Sequence, residues 1–149
     1  MHIKVDQSGR IEQPVDTVLA FSDTIDFAIL IPREVKRNIL KYLRENLEKD
    51  KETAAVIVFA AGTFLLIREM LTRIDYVEID EEFTGKEATI KGILMRLARQ
   101  RGIELPKRMI GFGRIGKTAG AHKRAIAVTR GQSKPERYVT EAELFALIK

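Results

Sequence analysis

Tyr76-Val77-Glu78-Ile79-Asp80-Glu81-Glu82 is the stretch that decides how this chain folds. Apolar and polar residues alternate in it with the period of a half-buried strand, and the strand exits onto a carboxylate. Aspartate is depleted in strands, so Asp80 marks either a solvated strand end or a ligand at the mouth of a sheet. His2-Ile3-Lys4-Val5-Asp6-Gln7-Ser8-Gly9 bears on that choice, because it also alternates, also reaches an acid, and then turns at Gln7-Ser8-Gly9. Two strands that end on aspartates point to one shared site.

Around these strands, residues 2 to 31 predict an antiparallel meander, with Val18-Leu19-Ala20-Phe21 and Phe27-Ala28-Ile29-Leu30 as short apolar runs between polar breaks. Pro32 suits the first turn of a helix, in which Val35, Ile39, Leu43 and Leu47 recur at helical spacing. From Thr53 to Arg73 the chain is apolar almost all round; this predicts one buried helix, with Gly62 near a helix contact, over a strand at 55–59 followed by a helix. After the strand at 76–81, Ile90, Ile93, Leu94 and Leu97 form the stripe of a helix ending at Gly102. Lys107 to Phe112 reads as a strand, Ala119 to Arg130 as a helix, and 130–135 as a polar connection. Thr140 and Glu143 have capping-box spacing for a last short helix. The expectation is one α/β domain over residues 1–149, a mixed five-stranded sheet with helices on both faces.

The 149 residues suffice for a single core, and the absence of cysteine excludes disulfide frames and thiolate metal sites. The N-terminus lacks a secretory apolar region and no apolar run approaches the ~18 residues of a membrane span, so a soluble, cytoplasmic protein is expected. Asparagine occurs only at Asn38 and Asn46 amid abundant Lys, Arg and Glu, a composition that leans towards a thermophile. The net charge of +5 is unevenly spread. Between Pro106 and Pro135 stand Lys107, Arg108, Arg114, Lys117, Lys123, Arg124, Arg130 and Lys134 without one acid, while Asp75, Glu78, Asp80, Glu81, Glu82 and Glu87 gather upstream. A basic segment beside acids suits a nucleic acid held by its phosphates; a solvated helix face explains the basic residues equally well.

The element order, with acids ending the first and fourth strands, resembles the ribonuclease H-like superfamily of nucleases, transposases and resolvases. The local match is best to RuvC-type Holliday-junction resolvases. Their first strand ends in Asp-Pro-Gly-Ser, where this chain has Asp6-Gln7-Ser8-Gly9, and their fourth ends in an acid after an apolar residue, as Ile79-Asp80 does. Their last catalytic acid opens a helix reading Asp-Ala-Leu-Ala-Ile-Ala-Leu-Thr-His, and the similar run here is His122-Lys123-Arg124-Ala125-Ile126-Ala127-Val128-Thr129-Arg130. Histidine thus stands where the family has that acid, and no second acid lies one turn earlier, at Thr118 and Ala119.

The resemblance implies phosphodiester cleavage of structured DNA, RNA or hybrid by Mg²⁺ or Mn²⁺ on Asp6 and Asp80, with Glu82 as a reserve ligand if the strand continues. Glu78 shares that face further into the strand. His122 would orient the attacking water or protonate the leaving oxygen, and Lys117 would contact the scissile phosphate. Gln7 and Ser8 would hydrogen-bond substrate or water, unless they only make a turn. Read without the resemblance, His122 is a partly buried helix residue and Lys117 a surface lysine. Action on paired strands would suit a homodimer. Because the family's third acid is replaced, a non-catalytic nucleic-acid-binding domain on the same fold is the second reading.

Gly111-Phe112-Gly113-Arg114-Ile115-Gly116-Lys117-Thr118 also satisfies the phosphate-binding P-loop pattern between a strand and a helix. A nucleotide-binding protein is therefore a third reading. Such domains build a parallel sheet after the motif, and only 31 residues follow Thr118, with no clear strand.

Overall fold

The computed structural model describes residues 1–117 and 119–149. The chain forms β1 (His2–Ser8), β2 (Thr17–Ser22), β3 (Asp26–Ile31), α1 (Arg33–Glu45), α2 (Lys51–Ile67), β4 (Tyr76–Asp80), α3 (Glu87–Gln100), β5 (Ile110–Gly113), α4 (Gly120–Thr129), β6 (Arg137–Tyr138) and α5 (Glu141–Ile148). Short 3-10 turns follow α2 and precede β5. The six strands lie in the order β5-β4-β1-β2-β3-β6. β1, β2 and β3 pair antiparallel as the expected meander, whereas β4, β5 and β6 each add in parallel.

The mixed α/β class follows from the sequence pattern, but the sheet has six strands where five were expected. β6 is only Arg137-Tyr138, too short and too polar to show periodicity. It is fixed to the edge of β3 by backbone bonds from Glu136 to Ala28 and from Val139 to Leu30, and the Glu136 carboxylate accepts from the Ala28 N–H at 2.7 Å.

Strand alternation divides the core between the two faces of the sheet. Ile3, Val5, Leu19, Phe21, Ile29, Ile31, Val77 and Ile79 share one cluster with α2, which is buried all round and covered in turn by α1, α3 and α5. Asp50 caps α2 by accepting from the Thr53 N–H. Gly62 meets the sheet, not another helix as the sequence reading expects: a Cβ there would lie 2.9 Å from Leu19 Cδ1 and 3.0 Å from Ile31 Cδ1. Contrary to the expectation that no run reaches membrane-spanning length, Lys51–Arg73 is long and apolar enough to cross a bilayer. Its most apolar window is 78% buried inside the protein, as befits a core helix.

The opposite face is thinner. Val18, Ala20 and Ala28 pack against Ala125 and Val128 of α4, and these small side chains bring the helix close to the strands. Where the helix begins, a Cβ on Gly120 would lie 2.4 Å from Ser22 Oγ. α4 lies over β1, β2 and β3. The turn after β1 starts two residues later than its sequence implies, since Gln7 and Ser8 still belong to the strand and the reversal falls at Gly9. Gly9 has φ +77, and a Cβ there would stand 2.2 Å from the Asp16 carbonyl oxygen.

Candidate active site

In the parallel pairing of β1 with β4, Lys4 lies opposite Glu78 and Val5 opposite Ile79. Continued by one residue, that register sets Asp6 beside Asp80, on strands about 4.8 Å apart. Both then point to the face that carries α4, because side chains alternate and Val5 and Ile79 belong to the α2 core. The two carboxylates thus lie on the same side of the sheet.

α4 brings His122 to this point. Its Nδ1 lies 2.8 Å from Asp6 Oδ2, while Asp6 Oδ1 accepts the Gln7 N–H at 2.8 Å. Asp6 is 5% exposed. Burial raises its pKa above the usual carboxylate value; the bonds from His122 and Gln7 oppose that rise, and the charge of Asp80 adds to it. With Asp6 ionised, the imidazole carries its proton on Nδ1, which leaves the lone pair on Nε2. The packing of α4 is also tied at its far end, where Thr129 Oγ1 donates to Ser8 Oγ at 2.7 Å.

Asp80 is half-buried, and its Oδ1 accepts the Ile115 N–H at 3.0 Å. That backbone donor, supplied by the segment between β5 and α4, carries no residue-type signal and was not foreseen. The same bond engages part of the P-loop-like stretch, whose glycines 111 and 113 lie in the edge strand β5. α4 begins only at Gly120, beyond Lys117, and Thr118 of that motif lies outside the described residues. Lys117 is exposed.

Glu82 does not continue the face of Asp80. β4 ends at Asp80, and the chain bends so that the Glu82 N–H donates to the Asp80 carbonyl at 3.0 Å. The Glu82 carboxylate instead lies 3.9 Å from Arg10 Nε. Glu78 keeps to the face expected of it, with its carboxylate beside Gly113, where a Cβ would lie 2.7 Å from Glu78 Oε2. Gln7 has the opposite parity to Asp6; its side-chain amide is buried without a protein partner among the described residues. Ser8 is engaged by Thr129.

Among the described residues no group of three or more His, Cys, Asp and Glu side chains could hold a metal ion. Asp6 and Asp80 are nevertheless a donor pair suited to a hard divalent cation, which takes oxygen ligands and commonly completes its shell with water and phosphate oxygens. Burial is the main reason that the Asp6 pKa is raised, and a cation there would favour the ionised form against it and offset the smaller contribution of the Asp80 charge. Of the basic segment, Arg124 is turned inward onto Glu136 and the Lys134 carbonyl. Lys107, Arg108, Arg114, Lys117, Lys123, Arg130 and Lys134 remain exposed. No protein-family model, curated protein or solved structure matches the chain.

Proposed function

We propose that this chain is a ribonuclease H-like phosphodiesterase that cleaves structured nucleic acid with Mg²⁺ or Mn²⁺ at Asp6 and Asp80. The observation that carries the reading is the 2.8 Å contact of His122 with Asp6, on the face that Asp80 shares. Residues 116 positions apart in the chain meet beside a second carboxylate, an arrangement with more chemical content than a solvated strand end. The meander followed by parallel strands on its β1 side supports the ribonuclease H-like assignment, as does the seating of α4 over β1.

When bound, the cation neutralises charge on the phosphate and lowers the pKa of water. Asp6 and Asp80 would hold it by their carboxylate oxygens. Asp6 also keeps the His122 proton on Nδ1, so that Nε2 takes a proton from the attacking water and can later return it to the leaving oxygen. The Ile115 N–H fixes the Asp80 carboxylate. The exposed cations of 107–134 hold the phosphate backbone, and action on two strands would pair two copies of the chain. The reading places such a protein in the cytoplasm, with its substrate.

Metal-dependent cleavage of a four-way junction, an RNA–DNA hybrid and single strands tests this directly. Asp6→Asn and Asp80→Asn each abolish cleavage if the centre is correct; activity that survives both changes removes it. A non-catalytic nucleic-acid-binding domain is the second reading, favoured by the lack of a three-ligand group among the described residues. It predicts binding of the same substrates without cleavage in Mg²⁺ or Mn²⁺.

A further inference from the structure

A groove of about 850 Å³ lies between α1 and the loop at 11–14 that follows β1. The chemistry above makes no use of it. Arg33, Arg37, Lys41 and Arg44 line it from one side of α1 and are all exposed, and Lys49 joins them from the segment before α2. At 1.5 Å per residue these helix cations extend over about 16 Å. Glu12, Glu34 and Glu45 also line the groove and leave the cations in excess, while Leu40 gives it apolar surface and Ile11 lies buried beneath.

The groove's far wall is held in place by a buried lysine. Lys36 is 1% exposed, and its Nζ donates to the Arg10 carbonyl at 2.9 Å and to Thr17 Oγ1 at 2.9 Å. The loop is thereby fastened to α1, so the groove has a preset width. Its position is equally informative. Ile11 follows Asp6 by five residues of chain, a reach of at most about 17 Å, and Arg10 leans towards Glu82, just beyond Asp80. The groove therefore opens near the same end of the sheet as the two aspartates.

We propose that this groove is a second nucleic-acid contact, holding the phosphates of a strand that continues past Asp6 and Asp80. The choice of nucleic acid as ligand rests on the function proposed above. Cations strung along a helix match a polyanion with spaced phosphates, whereas a small anion is better served by cations that converge on one point.

The test is fluorescence anisotropy with a labelled DNA duplex and a labelled four-way junction in EDTA, titrated over a range of salt. Substituting Arg37→Ala, Lys41→Ala and Arg44→Ala together weakens binding, and the plot of log K against log salt becomes shallower by about 2–3, close to one per lost phosphate contact. The three side chains are exposed, so the urea midpoint of the triple variant stays at the wild-type value. An unchanged slope overturns the proposal, as does failure of the wild-type chain to bind either probe. Inorganic pyrophosphate binding that the triple substitution abolishes, with duplex affinity unaltered, overturns it in favour of a small-anion site. A shallower slope in a protein that never cleaves in Mg²⁺ or Mn²⁺ upholds the groove and ends the nuclease reading.

Discussion

Lys36→Met gives a stability test whose size follows from one buried amine. Burial lowers the Lys36 pKa from 10.5 to about 8, against the opposing pull of Asp16 and Glu12. At 1.36 kcal/mol per pH unit, that difference disfavours the folded, charged state by about 3 kcal/mol. The folded pKa lies below the unfolded one, so below pH 8 both states carry the proton and the full penalty applies. Between about 8 and 10.5 the unfolded chain keeps a proton that the folded chain sheds, and this contribution to stability rises with pH by about 3 kcal/mol. Methionine removes the titration but leaves the Arg10 carbonyl and the Thr17 hydroxyl without their donor, at a cost of about 1–3 kcal/mol. The two chains should therefore differ little at pH 7, and the variant should fall behind by about 3 kcal/mol by pH 10.5. Urea unfolding followed by far-UV circular dichroism measures this in a chain that has no tryptophan. Stability curves that run parallel from pH 8 to 10.5 would refute the assignment of a desolvated amine.

Gly9→Ala should cost about 2–4 kcal/mol in urea melts, since it adds left-handed backbone strain to a collision with the Asp16 carbonyl; a loss under 1 kcal/mol would mean that the turn relaxes freely. Thr140→Ala removes the N-cap of α5, where Thr140 Oγ1 accepts from the Glu143 N–H, and should lower stability by about 1 kcal/mol, with faster amide exchange in α5 as the local readout. Asp6→Asn in EDTA tests the burial of the carboxylate. Its folded pKa is raised above 3.8, so the wild-type chain loses stability as pH climbs from the unfolded value through the folded one. The variant escapes that loss and gains on wild type across the window; a difference that stays constant from pH 3.5 to 7 would contradict the burial argument.

How far these features could be read in advance depends on the range of the interactions that create them. The alternation in 2–6 and 76–80 carries the two aspartates, since period 2 fixes a face before any pairing is known. The α1 stripe is legible at Ile39 and Leu43, which are buried, and at Val35, which packs half-buried on the core. Leu47 falls beyond the helix end and is exposed, and Lys36 is buried in the same phase as Ile39 and Leu43. A lysine in that phase is invisible to a hydrophobic pattern, because its burial depends on acceptors from Arg10 and Thr17, outside the helix. The neighbour of Gly62 and the strand β6 are hidden for a related reason: a helical glycine does not name its neighbour, and a two-residue strand has no period.

His122 was located by resemblance, and the packing explains why an imidazole suits that place. α4 can lie close to the sheet because Ala20, Ala28 and Ala125 are small, and that approach puts the first turn of the helix directly beside Asp6. Asp6 is already pushed towards its neutral form by burial and by Asp80. A carboxylate at 122 would add a further negative charge to that crowd and, without a cation, raise the Asp6 pKa still more. An imidazole donates to Asp6 through Nδ1 and brings no negative charge, so the metal-free fold tolerates the pair of aspartates more easily. The same exchange reduces the charge available to draw in a second cation, so the chemistry proposed here would need one divalent ion held by Asp6 and Asp80, with His122 as the base, and not two ions within an acid cluster.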